Sequence, residues 1–154
     1  MIEIDLEFMR IALKLAGQAG ASGEVPIGAC IVTESGKLLA TGFNRTIAKN
    51  DPTAHAEIEA IRQAGSKLGN YRLTGTVIYT TIEPCVMCAG ALVNARIKRL
   101  VYGANDERFG AVRSLFSLCD NSSLNHRLEI TEGILADECR HLMQDFFRRR
   151  RSAK

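Results

Sequence analysis

No stretch of the chain reaches 18 consecutive apolar residues, which excludes a membrane-spanning helix as its organising feature. The first residues carry Glu3 and Asp5 where a secretory leader would need a basic region followed by an apolar run, so a soluble, cytoplasmic protein that does not engage a membrane is expected. Neither GxxxxGK followed by Ser or Thr, nor a GxGxxG after a strand, occurs. Gly28, close to Pro26, and the other scattered glycines are therefore read as turns or close backbone approaches and not as a phosphate cradle. Internal repeats are missing, and one arginine run is the sole low-complexity segment. Five cysteines cannot all pair within one chain, and only two residues separate Cys85 from Cys88, which speaks against a disulfide scaffold.

What remains suffices for one core. A chain of 154 residues that is 46% apolar can bury enough surface without disulfides, so a single domain over residues 1–154 is predicted. The formal charge of +3 is uneven: residues 148–154 hold five basic and no acidic residues, leaving 15 basic against 17 acidic in residues 1–147. The basic excess belongs to a C-terminal tail, read either as a solvated charge run or as a phosphate-binding element. Cys30, Cys119 and Cys139 lie in apolar or mixed segments and read as small buried hydrophobes.

Along the chain, Asp5 can cap a helix with Leu6, Met9, Leu13 and Ala16 on one face, interrupted at Gly20 and Gly23. Residues 30–32 and 38–40 read as strands of a hairpin around Gly36. Asp51, Pro52 and Thr53 open a helix over 54–64, and the β-branched run 76–80 reads as a strand. Pro84 starts a helix reaching about Asn94, and residues 100–102 and 128–130 read as further strands. A last helix, 135–147, aligns Leu135, Cys139, Leu142 and Phe146. Alternating helices and strands predict an α/β fold with helices covering a sheet.

The chemistry concentrates at two helix starts, His55-Ala56-Glu57 and Pro84-Cys85-Val86-Met87-Cys88. Thiols three positions apart in a first helical turn project in neighbouring directions and can share one tetrahedral ion. A thioredoxin-like redox pair is the rival for the two cysteines alone; His55 discriminates. One imidazole and two thiolates leave one position of a four-coordinate Zn²⁺ for water, whereas a structural site would close with a fourth ligand, for which His126 and His141 are the candidates. Helix N-termini help carry the thiolate charge. Glu57, two positions beyond His55, points away from a shared ion if the turn is helical, and an unligated carboxylate there can take a proton from water and return it to a substrate nitrogen.

With these motifs the chain resembles the zinc-dependent nucleoside deaminases, in which His-x-Glu and Pro-Cys-x-x-Cys recur, and among them the bacterial tRNA-specific adenosine deaminases. The likeness covers nearly the whole chain: VPIGA at 25–29, GFNR at 42–45, DPTAHAEI at 51–58, EPCVMCAGALVNARI at 83–97, NHRLEITEGILADEC at 125–139, and DFF at 145–147 followed by Arg148. The resemblance implies a cytidine-deaminase-like layered α/β fold, a central mixed sheet flanked by helices. It also implies one Zn²⁺ per chain on His55, Cys85 and Cys88, proton transfer by Glu57, purine contact by Asn44 and an acidic substrate-loop residue at Asp106. The loop 105–110 departs from the family pattern at Glu107, Arg108 and Phe109.

The implied reaction is hydrolysis of adenosine to inosine, with loss of ammonia, at the wobble position of a tRNA anticodon loop, in a homodimer. Arg45, beside Phe43 and Asn44, together with Phe146 and Arg148, is the candidate RNA contact, offering stacking and phosphate neutralisation. Backbone donors at Ala56 and Cys85 are candidates for orienting the water or leaving group. Two alternatives stand beside this reading: a free nucleoside or nucleobase deaminase, and a zinc-stabilised RNA-binding module.

Overall fold

The structure, a computed structural model, describes residues 2–153, so Lys154 of the expected tail and the first residue lie outside the described residues. Five strands form one mixed sheet in the order β2-β1-β3-β4-β5. β1 (Gly28–Thr33) pairs antiparallel with β2 (Leu38–Phe43) and with β3 (Thr76–Ile82). β4 (Arg99–Ala104) runs parallel to β3, and β5 (Glu129–Thr131) parallel to β4. The hairpin expected around Gly36 is present, with a register shift between Ile31 and Val32.

Strand side chains alternate between two cores, as a period of two requires. Cys30, Val32, Tyr79 and Val101 face α1 (Ile2–Ala21) and α4 (Ala136–Ser152), meeting Phe8, Met9 and Cys139. Ala29, Ile31, Ile78, Leu100 and Tyr102 face the other way, toward α2 (Ala56–Leu68) and α3 (Val86–Asn94), with Ala56, Ala60, Ala89 and Leu92. Cys30, Cys119 and Cys139 are buried free thiols. No helix among the described residues is long and apolar enough to cross a membrane.

Several expected boundaries move, each for a physical reason. Asp5 does not cap α1; it lies buried within the helix, where its carboxylate accepts hydrogen bonds from Arg99 (2.9 and 2.7 Å) and from the Tyr79 hydroxyl (2.8 Å). Leu6 and Leu13 are only half-buried, because the core stripe runs through Phe8, Met9, Ala12, Ala16 and Ala19. Gly20 lies inside α1, and Gly23, at φ 85°, follows its end. α2 begins later than expected because the Asp51 carboxylate accepts from the amide and hydroxyl of Thr53 (2.8 and 2.7 Å), holding that segment as a turn. It passes Gly65 and ends at Gly69, whose φ of 64° suits a left-handed cap. Leu135 precedes α4 as its cap residue, and the helix continues to Ser152, so residues 148–151 form its last turns and not a separate tail.

Two glycines set the helix-to-sheet distance. A Cβ at Gly28 would strike the carbonyl of Ala12 in α1, and one at Gly42 would strike the carbonyl of Ala56 and the amide of Ala60 in α2. The glycines read from sequence as close approaches are therefore the points where helix backbone rests on strand backbone. Because Gly42 seats the first turn of α2, Gly42→Ala is expected to destabilise the fold by about 1–3 kcal/mol, the usual range for overpacking. Chemical denaturation checks this; an unchanged midpoint would show that α2 can move aside freely.

Candidate metal centre

Both metal-binding motifs end up at cap positions. His55 is the cap residue of α2 (φ −76°, ψ 156°) and Cys85 that of α3 (φ −75°, ψ 178°), and neither side chain caps its own helix. They turn toward each other, and Cys88 joins them from the first turn of α3, bringing the three ligand atoms within 4.8 Å of one another. His55 Nδ1 lies 3.6 Å from the Sγ atoms of both Cys85 and Cys88. A tetrahedral ion with ordinary zinc bond lengths separates an imidazole nitrogen from a thiolate sulfur by about 3.6 Å. The donor set fits zinc in both chemistry and spacing.

The protonation of the three groups suits a cation. Hydrogen bonding from Cys88 lowers the Cys85 thiol to about 4 against the opposing effect of burial, with His55 adding to the fall. The same hydrogen bond, with burial, pushes Cys88 upward. Hydrogen bonding to Cys85 raises His55, again against burial. These shifts favour the thiolate at Cys85, the form in which a cysteine binds a cation, and metal binding requires the remaining ligands to be deprotonated as well. Two helix N-termini add positive potential at the same point.

Glu57, in the first turn of α2, is only 4% exposed and stands outside the three-ligand group. Burial raises its carboxyl to about 7, and Cys88 is among its hydrogen-bonding neighbours. The histidines weighed as fourth ligands are elsewhere: His126 Nε2 meets the carbonyl of Ile97 at 2.7 Å, and His141 is exposed on α4. Cys85 and Cys88 are free thiols.

The remaining expected site residues divide into two groups. Asn44 is buried, and its Oδ1 accepts the amide of Ala56 at 2.8 Å, supplying the cap that His55 does not. That bond corrects one expectation, since the Ala56 amide is engaged within the protein and is not free to orient a water. Among the described residues, the Cys85 amide donates to no protein acceptor. The Arg45 amide donates to the carbonyl of Ala54 (2.9 Å), and its guanidinium lies 6.0 Å from the ring centre of Phe43. Asp106 accepts the amides of Arg108 and Phe109 (3.0 and 3.2 Å), closing a turn. Phe146 instead lines a groove with Gly17, Gly20 and Pro26, under Arg150, while Arg148 pairs with Asp145 at 3.0 Å. The structure brings Asn44 and Arg45 to the start of α2, and leaves Phe146 on the α1 side of the sheet.

Two buried carboxylates escaped the sequence reading. Glu24 accepts the amides of Ile47 and Ala48 (3.1 and 2.8 Å) and the Thr46 hydroxyl, fixing the segment between Asn44 and His55. Burial works to raise Glu24, but these donors outweigh it and hold the carboxyl below its ordinary range. Glu83, 3% exposed, does the same for residues 106–114. Burial is again outweighed, here first by the Ser114 hydroxyl and then by backbone amides, so Glu83 too is held low. A single acid beside Pro84 or Val25 reads in sequence as an ordinary loop charge; only the folded amides distinguish it.

The cytidine and deoxycytidylate deaminase zinc-binding region matches residues 2–104. The chain is 47% identical over 152 residues to a tRNA-specific adenosine deaminase of Haemophilus influenzae, covering 99% of this chain and 88% of that one. It is similar to a structure solved in a study of A-to-I editing by tRNA:A34 deaminases at the wobble position of transfer RNA (TM-score 0.85, 44% identity, 88% of this chain and 98% of that one). It is also similar to a guanine deaminase from Nitrosomonas europaea (TM-score 0.80, 27% identity, 92% and 83% covered).

Replacing Cys88 with Ser exchanges a thiolate for a poorer, neutral ligand. Purified Cys88→Ser protein is expected to hold substantially less than one zinc per chain after dialysis, while the parent retains about one. Metal analysis at equal protein concentration checks this, and unchanged stoichiometry and affinity would remove Cys88 from the ligand set.

Proposed function

Since the chain belongs to the zinc-dependent tRNA-specific adenosine deaminases, within the cytidine and deoxycytidylate deaminase family, we propose that it converts adenosine to inosine at the wobble position of a tRNA anticodon loop. The observation that carries the reading is a three-ligand zinc site with a buried, unligated carboxylate beside it. A site with three protein ligands keeps a coordination position for chemistry, where a structural zinc would be closed by a fourth. The adenine C6 is out of reach inside a stacked duplex, so the substrate base is presented from a single-stranded loop.

Hydrolysis adds the oxygen of water to C6 of the purine and breaks the C6–N6 bond, giving inosine and ammonia. His55, Cys85 and Cys88 would hold the zinc, which when bound would supply the Lewis acidity that lowers the pKa of a water. Glu57 takes one proton from the attacking water and passes it to purine N1, then takes the second from the new C6 hydroxyl and delivers it to the amine as the C6–N6 bond breaks. A carboxyl that burial holds near 7 can both accept and release a proton close to neutral pH. Asn44 keeps the α2 start in place through the Ala56 amide, and with it both His55 and Glu57. The Cys85 amide is the backbone donor that can meet the water or the leaving group.

Arg45, Phe146 and Arg148 extend the contact to RNA. The last turns of α4 add the positive charges of Arg148, Arg149, Arg150 and Arg151, which strengthen association through phosphates without selecting a base. The exposed Ile47, Leu115 and Phe116 offer apolar surface for a second copy, consistent with a homodimer built from one deaminase domain per chain. A tRNA substrate places the enzyme in the cytoplasm.

Glu57→Gln keeps the side-chain size and removes the proton acceptor. Zinc content and RNA affinity are expected to persist while the single-turnover rate at saturating RNA falls by at least about 10²-fold, the lower end of a general acid–base contribution. Rapid-quench assay of inosine formation checks this, and a near-normal rate would require another base.

A further inference from the structure

The Glu83 carboxylate sits between β3 and the zinc-ligand turn, and it collects more donors than any other side chain of the site. Its Oε1 accepts the amide of Asp106 at 3.0 Å and the hydroxyl of Ser114. Its Oε2 accepts the amides of Val112, Arg113 and Ser114 at 3.0, 2.7 and 2.9 Å. Gly110 packs so closely on this carboxylate that a Cβ there would strike it. One residue further, the amide of Ala111 donates to the carbonyl of Pro84 at 2.8 Å, directly beside the ligand Cys85. Both ends of the 106–114 segment are thereby tied to the turn that carries a zinc ligand.

The segment has two faces. Gly110, Ala111 and Val112 are buried against Glu83 and the core, while Glu107, Arg108 and Phe109 are exposed, Phe109 to 66%. A cation next to an open aromatic ring is the chemistry that takes a phosphate and an unstacked base of a single-stranded RNA loop. Left to itself, a nine-residue loop with such a tip would lose conformational freedom on binding and weaken the complex. A buried carboxylate that satisfies four amides removes that freedom beforehand.

We propose that Glu83 is a positioning residue for substrate, fixing the 106–114 loop to the zinc-ligand turn so that its Arg108 and Phe109 tip meets the RNA beside the target adenosine. The proposal rests on the deaminase reading for its substrate, but Glu83 itself touches neither RNA nor metal. Its effect is on the concentration of RNA needed more than on the chemical step.

The test uses full-length zinc-loaded protein, an anticodon stem-loop RNA, and three variants: Glu83→Gln, Ser114→Ala and Arg108→Ala/Phe109→Ala. Glu83→Gln faces an NH₂ group toward backbone donors, and Ser114→Ala removes only the hydroxyl donor, so it stays folded if the first does not. Hydrogen exchange at residues 106 and 112–114 is expected to accelerate in Glu83→Gln, and to a smaller degree in Ser114→Ala. The RNA concentration for half-maximal single-turnover rate should rise at least about tenfold in Glu83→Gln and in the tip variant, the equivalent of one or two lost polar contacts. Zinc content should stay at the parent value and the saturating rate within about threefold, in keeping with an effect on binding and not on chemistry. Failure of the parent itself to form inosine would count against the deaminase reading and not against the loop's anchoring, which exchange reads independently. Faster exchange in either carboxylate-cradle variant with an unchanged half-maximal RNA concentration overturns the proposal, as does a fall confined to zinc content or to the saturating rate.

Discussion

Two helices start where their cap side chains are needed elsewhere. His55 and Cys85 occupy the positions at which a helix ordinarily satisfies its first amides, and both turn instead toward a shared point. Everything around the site answers that diversion. Asn44 reaches from the end of β2 to accept the Ala56 amide, and Gly42, two residues earlier, lets α2 rest on the sheet closely enough for that bond to form. On the α3 side, Pro84 has no amide to satisfy, and its carbonyl is tied down by Ala111. Three ligands converge because the sheet holds both helix starts at one end.

The second principle of the site is the buried carboxylate used as an anchor. Glu24 and Glu83 each hold one bordering loop by its backbone amides, Glu24 the stretch that leads to His55 and Glu83 the stretch that follows β4. Charge-assisted bonds of this kind are stronger than neutral ones, and their burial makes leaving them unmade costly. Glu57 is the contrast. It is equally buried but has no comparable set of donors, so burial raises its carboxyl where the donors of Glu24 and Glu83 lower theirs. Three acids of similarly low exposure thus divide into two anchors whose carboxyls are held low and one whose carboxyl is held high.

Much of this was legible in the sequence, and for identifiable reasons. The β-branched run located strand positions 76–80 inside β3, and residues 100–102 were read as a strand inside β4, because both strands are buried along almost their whole length. The two cysteine ligands were legible because their spacing is dictated by coordination within one helical turn, and His55 because it heads the other motif. Asn44 stood out by resemblance, and the structure adds that its Oδ1 accepts the Ala56 amide. Glu24 and Glu83 were invisible because their partners lie more than twenty residues away. The arginine run was misjudged as a tail because nothing local signals that a helix with Asp137 and Glu138 in its first turn would continue through it, although basic residues in a last turn are favourable.

The account stands or falls on what the zinc site does to RNA. Metal-replete protein incubated with a total tRNA pool, followed by inosine mapping at single-nucleotide resolution, asks this directly. Inosine at the first anticodon position of one or a few tRNAs, with ammonia released in equal amount, is the result the account predicts. A tRNA pool left without inosine, while free guanine or cytidine is turned over by the same preparation, would contradict it and assign the same chemistry to a free base or nucleoside.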